Sequence, residues 1–243
     1  MLAEAKSLNR VELKRLYPTV ITAANDAIDG LHSLASFHAW TLTSWIDATP
    51  HAANHVLFPC FHKTLLSLHA ALELTLDGLF GLARPHLRQA FESLIIAKFC
   101  AVDPQTDIFD RWIDGLDFYF TNGILKKIEA PDISQFSETW NLLCKFSHAT
   151  VYANQLSLDL ETTKEETEFN LAFVGAMIHC TYHLLNSHIL TPTVKYHAAR
   201  YGRSSRGNDA KVALKISLDT LRSAFGSASA RIVRDYRSAW RVK

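Results

Sequence analysis

Apolar residues return at steps of three and four along most of this chain, and that spacing predicts helices. From Val11 to Asp47 the positions Leu13, Leu16, Val20, Ala24, Ile28, Leu31, Ala35 and Trp45 keep it, with a restart at Pro18 and an end at Pro50. Residues 1–10 read as a frayed lead-in. Leu31 to Ile46 carries no formal charge, so this half must be packed on several sides. A second helix is expected from Asn54 to Phe80 through Phe58, Phe61, Leu65, Leu68, Leu72 and Leu76, with Gly78 and Gly81 marking its end. Pro85 then opens a third, in which Leu87, Phe91, Leu94, Ile95 and Phe99 recur up to Cys100. So short a connection makes these two helices a hairpin, the expected centre of the fold.

Beyond Asp103-Pro104 the spacing predicts a helix over Asp107–Ile128 and a shorter one over Ser134–Phe146, with Phe136, Trp140, Leu143 and Cys144 facing inward. A polar run, Glu161 to Glu168, precedes an uncharged helix that stops at Pro192. Residues 191–208 hold Pro192, Gly202, Gly207, three arginines and two serines, the composition of an exposed linker. After it Leu214, Leu218, Leu221, Phe225, Ala228, Ile232 and Tyr236 form the stripe of an amphipathic helix, bent at Gly226. No internal repeat and no alternating strand pattern of useful length is present. The expected fold is therefore all-α: a multi-helix bundle over residues 1–190, a linker over 191–208, and a C-terminal basic amphipathic helix over 209–243.

Composition supports a folded chain: 48% of the 243 residues are apolar and 20% charged. The net charge of +1 hides an asymmetry, because residues 1–193 hold 13 Lys+Arg against 21 Asp+Glu while residues 194–243 hold 12 against 3. An acidic body thus carries a basic end. Cys60, Cys100, Cys144 and Cys180 are scattered with no C-x-x-C, as expected of free thiols in a reducing compartment. The N-terminus lacks the basic-then-apolar order of a signal peptide, so the expected location is the cytoplasm. Phe169 to Val194 holds no Asp, Glu, Lys or Arg and is long enough to span a bilayer. Asn170, His179, His183, Asn186 and His188 are costly in hydrocarbon, which favours a helix buried in protein over one in a membrane.

The charges that invite a chemical reading are Arg84, Arg88 and Glu92, which share one face of the third helix at successive i,i+4 steps. Arg before Glu is the weaker order for a local pair, so these groups are expected to answer something elsewhere in the fold. The candidate partner is the stretch Trp140 to Tyr152, with Ser147 and His148. His179 and His183 have a zinc-compatible i,i+4 spacing, but nothing completes a ligand set at motif spacing. His69 with Glu73 and Asp29 with His32 lack the paired repeats of di-iron bundles. No metal or other cofactor is expected. Lys211, Lys215, Arg222, Arg234, Arg237 and Arg241 flank the C-terminal stripe, and three readings stay open for it. The helix could hold nucleic acid through phosphates, lie on an acidic membrane surface, or dock its apolar stripe on the acidic body or a second subunit. Phosphate-binding glycine loops, a serine-hydrolase elbow and zinc-finger spacings are absent.

Leu87, Arg88 and Glu92 on the hairpin, followed by Trp140, Leu142 or Leu143, Ser147 and His148, resemble a group of bacterial all-helical proteins similar to the HEPN superfamily of toxins and phage-defence systems. The resemblance implies a bundle, often dimeric, whose active members cleave RNA without metal through an Arg followed four to six residues later by His. Here only Lys145 lies in that window before His148, so either the site is degenerate or Arg88 supplies the cation from another helix. Metal-independent cleavage needs a general base, an acid and a cation for the phosphorane charge. On that reading His148 serves as base or acid, Arg88 as the cation, Ser147 as an orienting hydroxyl, and Glu92 as the group that fixes Arg88. The competing reading is a buried Arg–Glu–His network that holds the bundle in register. The expected function is a HEPN-like defence or toxin-type protein directed at RNA and homo-oligomeric, with ribonuclease activity retained or lost. The alternative is a non-catalytic module that oligomerises or binds a partner protein through its basic helix.

Overall fold

The structure, a computed structural model, describes residues 2–42, 53–102, 111, 114, 124, 128–129, 138, 140–145, 164–190, 212, 214–225 and 241–242. Five long helices carry it: α1 (Leu2–Leu16), α2 (Pro18–Leu42), α3 (Ala53–Leu76), α4 (Phe80–Val102) and α5 (Lys164–Leu184), the last running into a π-helical turn over Leu185–Leu190. Residues 140–145 and 214–225 are also helical. A two-residue antiparallel pairing, Ile128 with Val242 and Glu129 with Arg241, is the one departure from helix among the regular elements described. The architecture is an all-α bundle.

The α3–α4 hairpin is its centre and makes the most extensive helix pairing among the described elements. Its turn explains why the two helices lie antiparallel. Gly78 adopts a φ of 76°, donates to the Thr75 carbonyl at 3.0 Å, and lets Leu79 reach back to Leu74 at 2.8 Å. This glycine-capped ending satisfies the last carbonyls of α3. The Leu79 carbonyl at once accepts from Leu82 and Ala83, both at 3.0 Å, so α4 begins at Phe80. Gly81 is accordingly the second residue of α4 rather than part of the break. Pro85 lies inside the helix instead of opening it. Its missing N–H forfeits one bond, to the Gly81 carbonyl, and the burial of Ala83, Arg84 and Leu87 around it offsets that loss. Phe61, Leu65, Leu68, Leu72 and Leu76 of α3 share one core with Leu87, Phe91, Leu94 and Phe99 of α4.

The chain restarts at Pro18 as its sequence predicts, but residues 2–10 are helical, not frayed. The reason is tertiary. Arg10 donates from Nη1 to Glu73 Oε2 at 2.8 Å and from Nε to Asp77 Oδ1 at 2.9 Å, while Lys6 Nζ lies 2.9 Å from Asp77 Oδ2. Four charges thereby clamp α1 onto the end of α3.

The polar run before the uncharged helix is its first turn, since α5 begins at Lys164 and places Glu165 and Glu166 where the helix dipole favours carboxylates. Three polar side chains of this helix find protein partners, although Asn170 Oδ1 is buried without one. Asn170 donates to Thr75 Oγ1 at 3.2 Å, Thr181 to the Met177 carbonyl at 2.7 Å, and His179 Nε2 meets the Leu218 carbonyl at 2.8 Å. Among the described residues no helix is long and apolar enough to cross a membrane.

That last contact belongs to the C-terminal segment 214–225, whose Leu214, Leu218 and Leu221 are buried in the common core. Two glycines receive it: a Cβ added to Gly30 would stand 3.6 Å from Leu214 Cδ1, and one added to Gly175 would stand 3.8 Å from Leu221 Cβ. Leu214, Leu218 and Leu221 therefore dock on α2 and α5 of their own bundle. Ala228, Ile232, Tyr236 and the 191–208 linker lie outside the described residues.

Candidate functional site

The face of α4 singled out by its charges divides in two. Arg84, the inner member, is buried to 5% exposure, ion-paired with Glu166 in the first turn of α5, and held 4.9 Å from the centroid of the Phe169 ring. Burial pulls its pKa down to about 10, which leaves it charged at neutral pH. Glu168, two residues on, accepts from the Tyr17 hydroxyl at 3.2 Å. Arg84 thus answers an acid elsewhere in the fold, and it is a brace between α4 and α5.

Arg88, one turn further along, is different. Its guanidinium lies 4.7 Å from the centroid of the Trp140 ring, and no carboxylate among the described residues is ion-paired with it; its Nε, like that of Arg84, is shielded from solvent with no hydrogen-bond acceptor. Glu92, half-buried on the same face, makes no hydrogen bond or ion pair to Arg88. Trp140 itself is 5% exposed and stacks with Phe91 at 6.4 Å between centroids, and Phe91 continues to Phe173 of α5. The indole is therefore a packing anchor that fixes the guanidinium plane by a cation–π contact.

Helix 140–145 brings a further group to this spot. Cys144 is half-buried, and its thiol pKa is raised by burial, with the Arg88 charge pulling it down and the Glu92 charge pushing it up. Both charges thus lie within electrostatic reach of one sulfur. Of the two leucines left open by the sequence, Leu143 is fully buried and Leu142 is exposed. No signal in the sequence marked Cys144 for this place beyond its inward helical position, nor Glu166 as the partner of Arg84 beyond its place near a helix start. Ser147 and His148 lie outside the described residues.

No family model, curated protein or solved structure matches this chain. Its chemistry must be argued from the residues themselves.

Among the described residues no group of three His, Cys, Asp or Glu side chains gathers to hold a metal. Glu73 is engaged by Arg10, while His69, Asp29 and His32 are exposed. Of the basic residues proposed for nucleic acid, Lys215 and Arg222 project to solvent. Arg241 falls in the two-residue strand pairing opposite Glu129 rather than on a helix face, because backbone pairing replaces helical spacing there. Lys211, Arg234 and Arg237 lie outside the described residues.

Proposed function

We propose that this chain is a HEPN-like helical protein of bacterial defence or toxin type that acts on RNA through the Arg88 face of α4. One observation carries the reading: Arg88 is a guanidinium seated on the Trp140 ring and ion-paired with no carboxylate among the described residues. Such a cation is suited to a phosphate, which it can bind in a planar fork. It also stands beside helix 140–145, the segment the family resemblance ties to it. In this proposal Arg88 neutralises the phosphate, Trp140 sets its position, and Ser147 and His148 supply the proton transfers of metal-independent cleavage.

Binding and cleavage of a labelled single-stranded RNA, with a chelator present, test it against Arg88→Gln and His148→Ala. Affinity is expected to fall in Arg88→Gln and to weaken steeply with salt in the parent protein. RNA binding that ignores both Arg88 and salt would sink the reading.

A second reading rests on the C-terminal segment. Its stripe is occupied by the bundle, yet Val212 and Ile216 are 62% and 65% exposed beside Lys215 and Arg222. These form an outward face for a partner protein or second copy in a non-catalytic module. Sedimentation of the parent and of Val212→Ser/Ile216→Ser would show a mass change if that face associates.

A further inference from the structure

The flank of α4 turned away from Arg88 bears a groove that the reading above leaves unused. At roughly 100° per residue, His86 lies on the side of α4 opposite Arg88, and Gln89 lies between that side and the face of Arg88 and Glu92. With Pro59, His62, Lys63, Leu66, Ser67 and Ala70 of α3 they enclose an open groove of about 470 Å³, within the ~300–1,000 Å³ range of small-molecule sites. Its shape follows from side-chain size. Ser67 and Ala70, small residues one turn apart, lie low between the larger Lys63 and Leu66 on one side and His86 and Gln89 on the other.

The lining has a consistent chemistry. Leu66 is 56% exposed, and with Pro59 and Ala70 it offers apolar surface to an occupant. Every polar side chain of the lining can donate a hydrogen bond, and none is a carboxylate, on a body whose first 193 residues hold 21 acids against 13 Lys+Arg. Lys63 contributes a full positive charge. Ser67 donates to Gln89 Oε1 at 3.0 Å, leaving the Gln89 amide N–H groups for a ligand. His62 is propped in place by the His32 ring of α2, 5.1 Å away, and by Phe58.

We infer that the α3–α4 groove binds a small amphipathic anion, an acidic head on an apolar body. The head meets Lys63, Gln89 and the imidazoles, and the body covers Leu66, Pro59 and Ala70. This site is separate from the RNA face, and its test does not read RNA at all.

The probe is 8-anilinonaphthalene-1-sulfonate, whose fluorescence rises on binding, titrated into the full chain and displaced with decanoate or decyltrimethylammonium. Decanoate is expected to displace it at concentrations where the cation of equal chain length does not. Lys63→Gln should weaken decanoate at least about fivefold, and Ala70→Leu, which fills the floor with a good helix former, should abolish its binding. Lys14→Gln on the exposed surface of α1 should leave it unchanged. Equal displacement by anion and cation overturns the inference. So does decanoate affinity that survives both Lys63→Gln and Ala70→Leu while circular dichroism shows those variants folded.

Discussion

Replacing Arg84 and Arg88 by methionine, one at a time, separates a structural arginine from one kept for another purpose. The two sit one turn apart on α4 and each stacks on an aromatic ring, so chemistry and helix propensity are matched. Arg84→Met removes one ion-pair partner of Glu166, whose side chain is 27% exposed. Stranding a fully buried charge costs roughly 3–5 kcal/mol; partial exposure and the first turn of α5 lower this to about 1–3 kcal/mol. Arg88→Met strands no acid among the described residues. It loses a cation–π contact worth about 1–2 kcal/mol and recovers about 0.5–1 kcal/mol through sulfur packing on Trp140. Both changes also relieve a shielded Nε, present at Arg84 as at Arg88, that costs about 1–3 kcal/mol unbonded, so this contribution cancels between them. For Arg88→Met the balance runs from about 0.5 kcal/mol of destabilisation to about 3 kcal/mol of stabilisation, and Arg84→Met lies about 1–3 kcal/mol below it for want of its ion pair. Urea denaturation followed by far-UV circular dichroism measures both, with the slope checked for constancy. Arg84→Met should lower the midpoint and Arg88→Met should hold or raise it, while RNA affinity falls only in the latter. If Arg88→Met destabilises as much as Arg84→Met, then Arg88 is a brace and the phosphate argument fails.

Gly78→Ala should cost about 1–2 kcal/mol from the left-handed backbone alone. It should cost somewhat more where the new methyl displaces the Asn9 side chain, whose Cγ would be 3.1 Å away, and a lowered Tm that Gly78→Asn partly restores checks this. Leu218→Ala, at a site 4% exposed, should destabilise the whole bundle by about 2–3 kcal/mol in a single transition; a separate low-stability transition would show that the C-terminal segment is not part of the common core. The Asp77 carboxyl is held below its ordinary range although burial pushes it up, because hydrogen bonds from Lys6 and Arg10 outweigh that burial. A depressed carboxylate stabilises the fold above its unfolded pKa of about 4 and loses that contribution as pH falls through the lower folded value. Thermal melts should therefore show stability declining below about pH 4, and Asp77→Asn should flatten that decline.

Helix existence was legible because it depends on local spacing. The apolar steps of α2, α3 and α4, the restart at Pro18 and the Gly78 ending all express a period of about 3.6 residues and a backbone angle that glycine tolerates. The same locality explains the misreadings. Lys6 and Arg10 were polar residues without a stripe, and nothing nearby showed that Glu73 and Asp77, more than sixty positions on, would hold that turn in helix. Pro85 was read as an opening because its local preference is real; packing around Arg84 and Leu87 overrode it.

For the candidate site, the sequence by itself determined that Arg84, Arg88 and Glu92 share one face and that a second segment beginning at Trp140 should face them. Only the tertiary structure decided that Arg84 pairs with Glu166, 82 residues away, that Arg88 rests on Trp140, and that Gly30 and Gly175 receive the C-terminal leucines. The physical reason is the same in each case. Spacing along a helix sets which side chains point the same way, whereas the identity of a partner depends on how remote surfaces close on one another, and that is settled by the packing of the whole core.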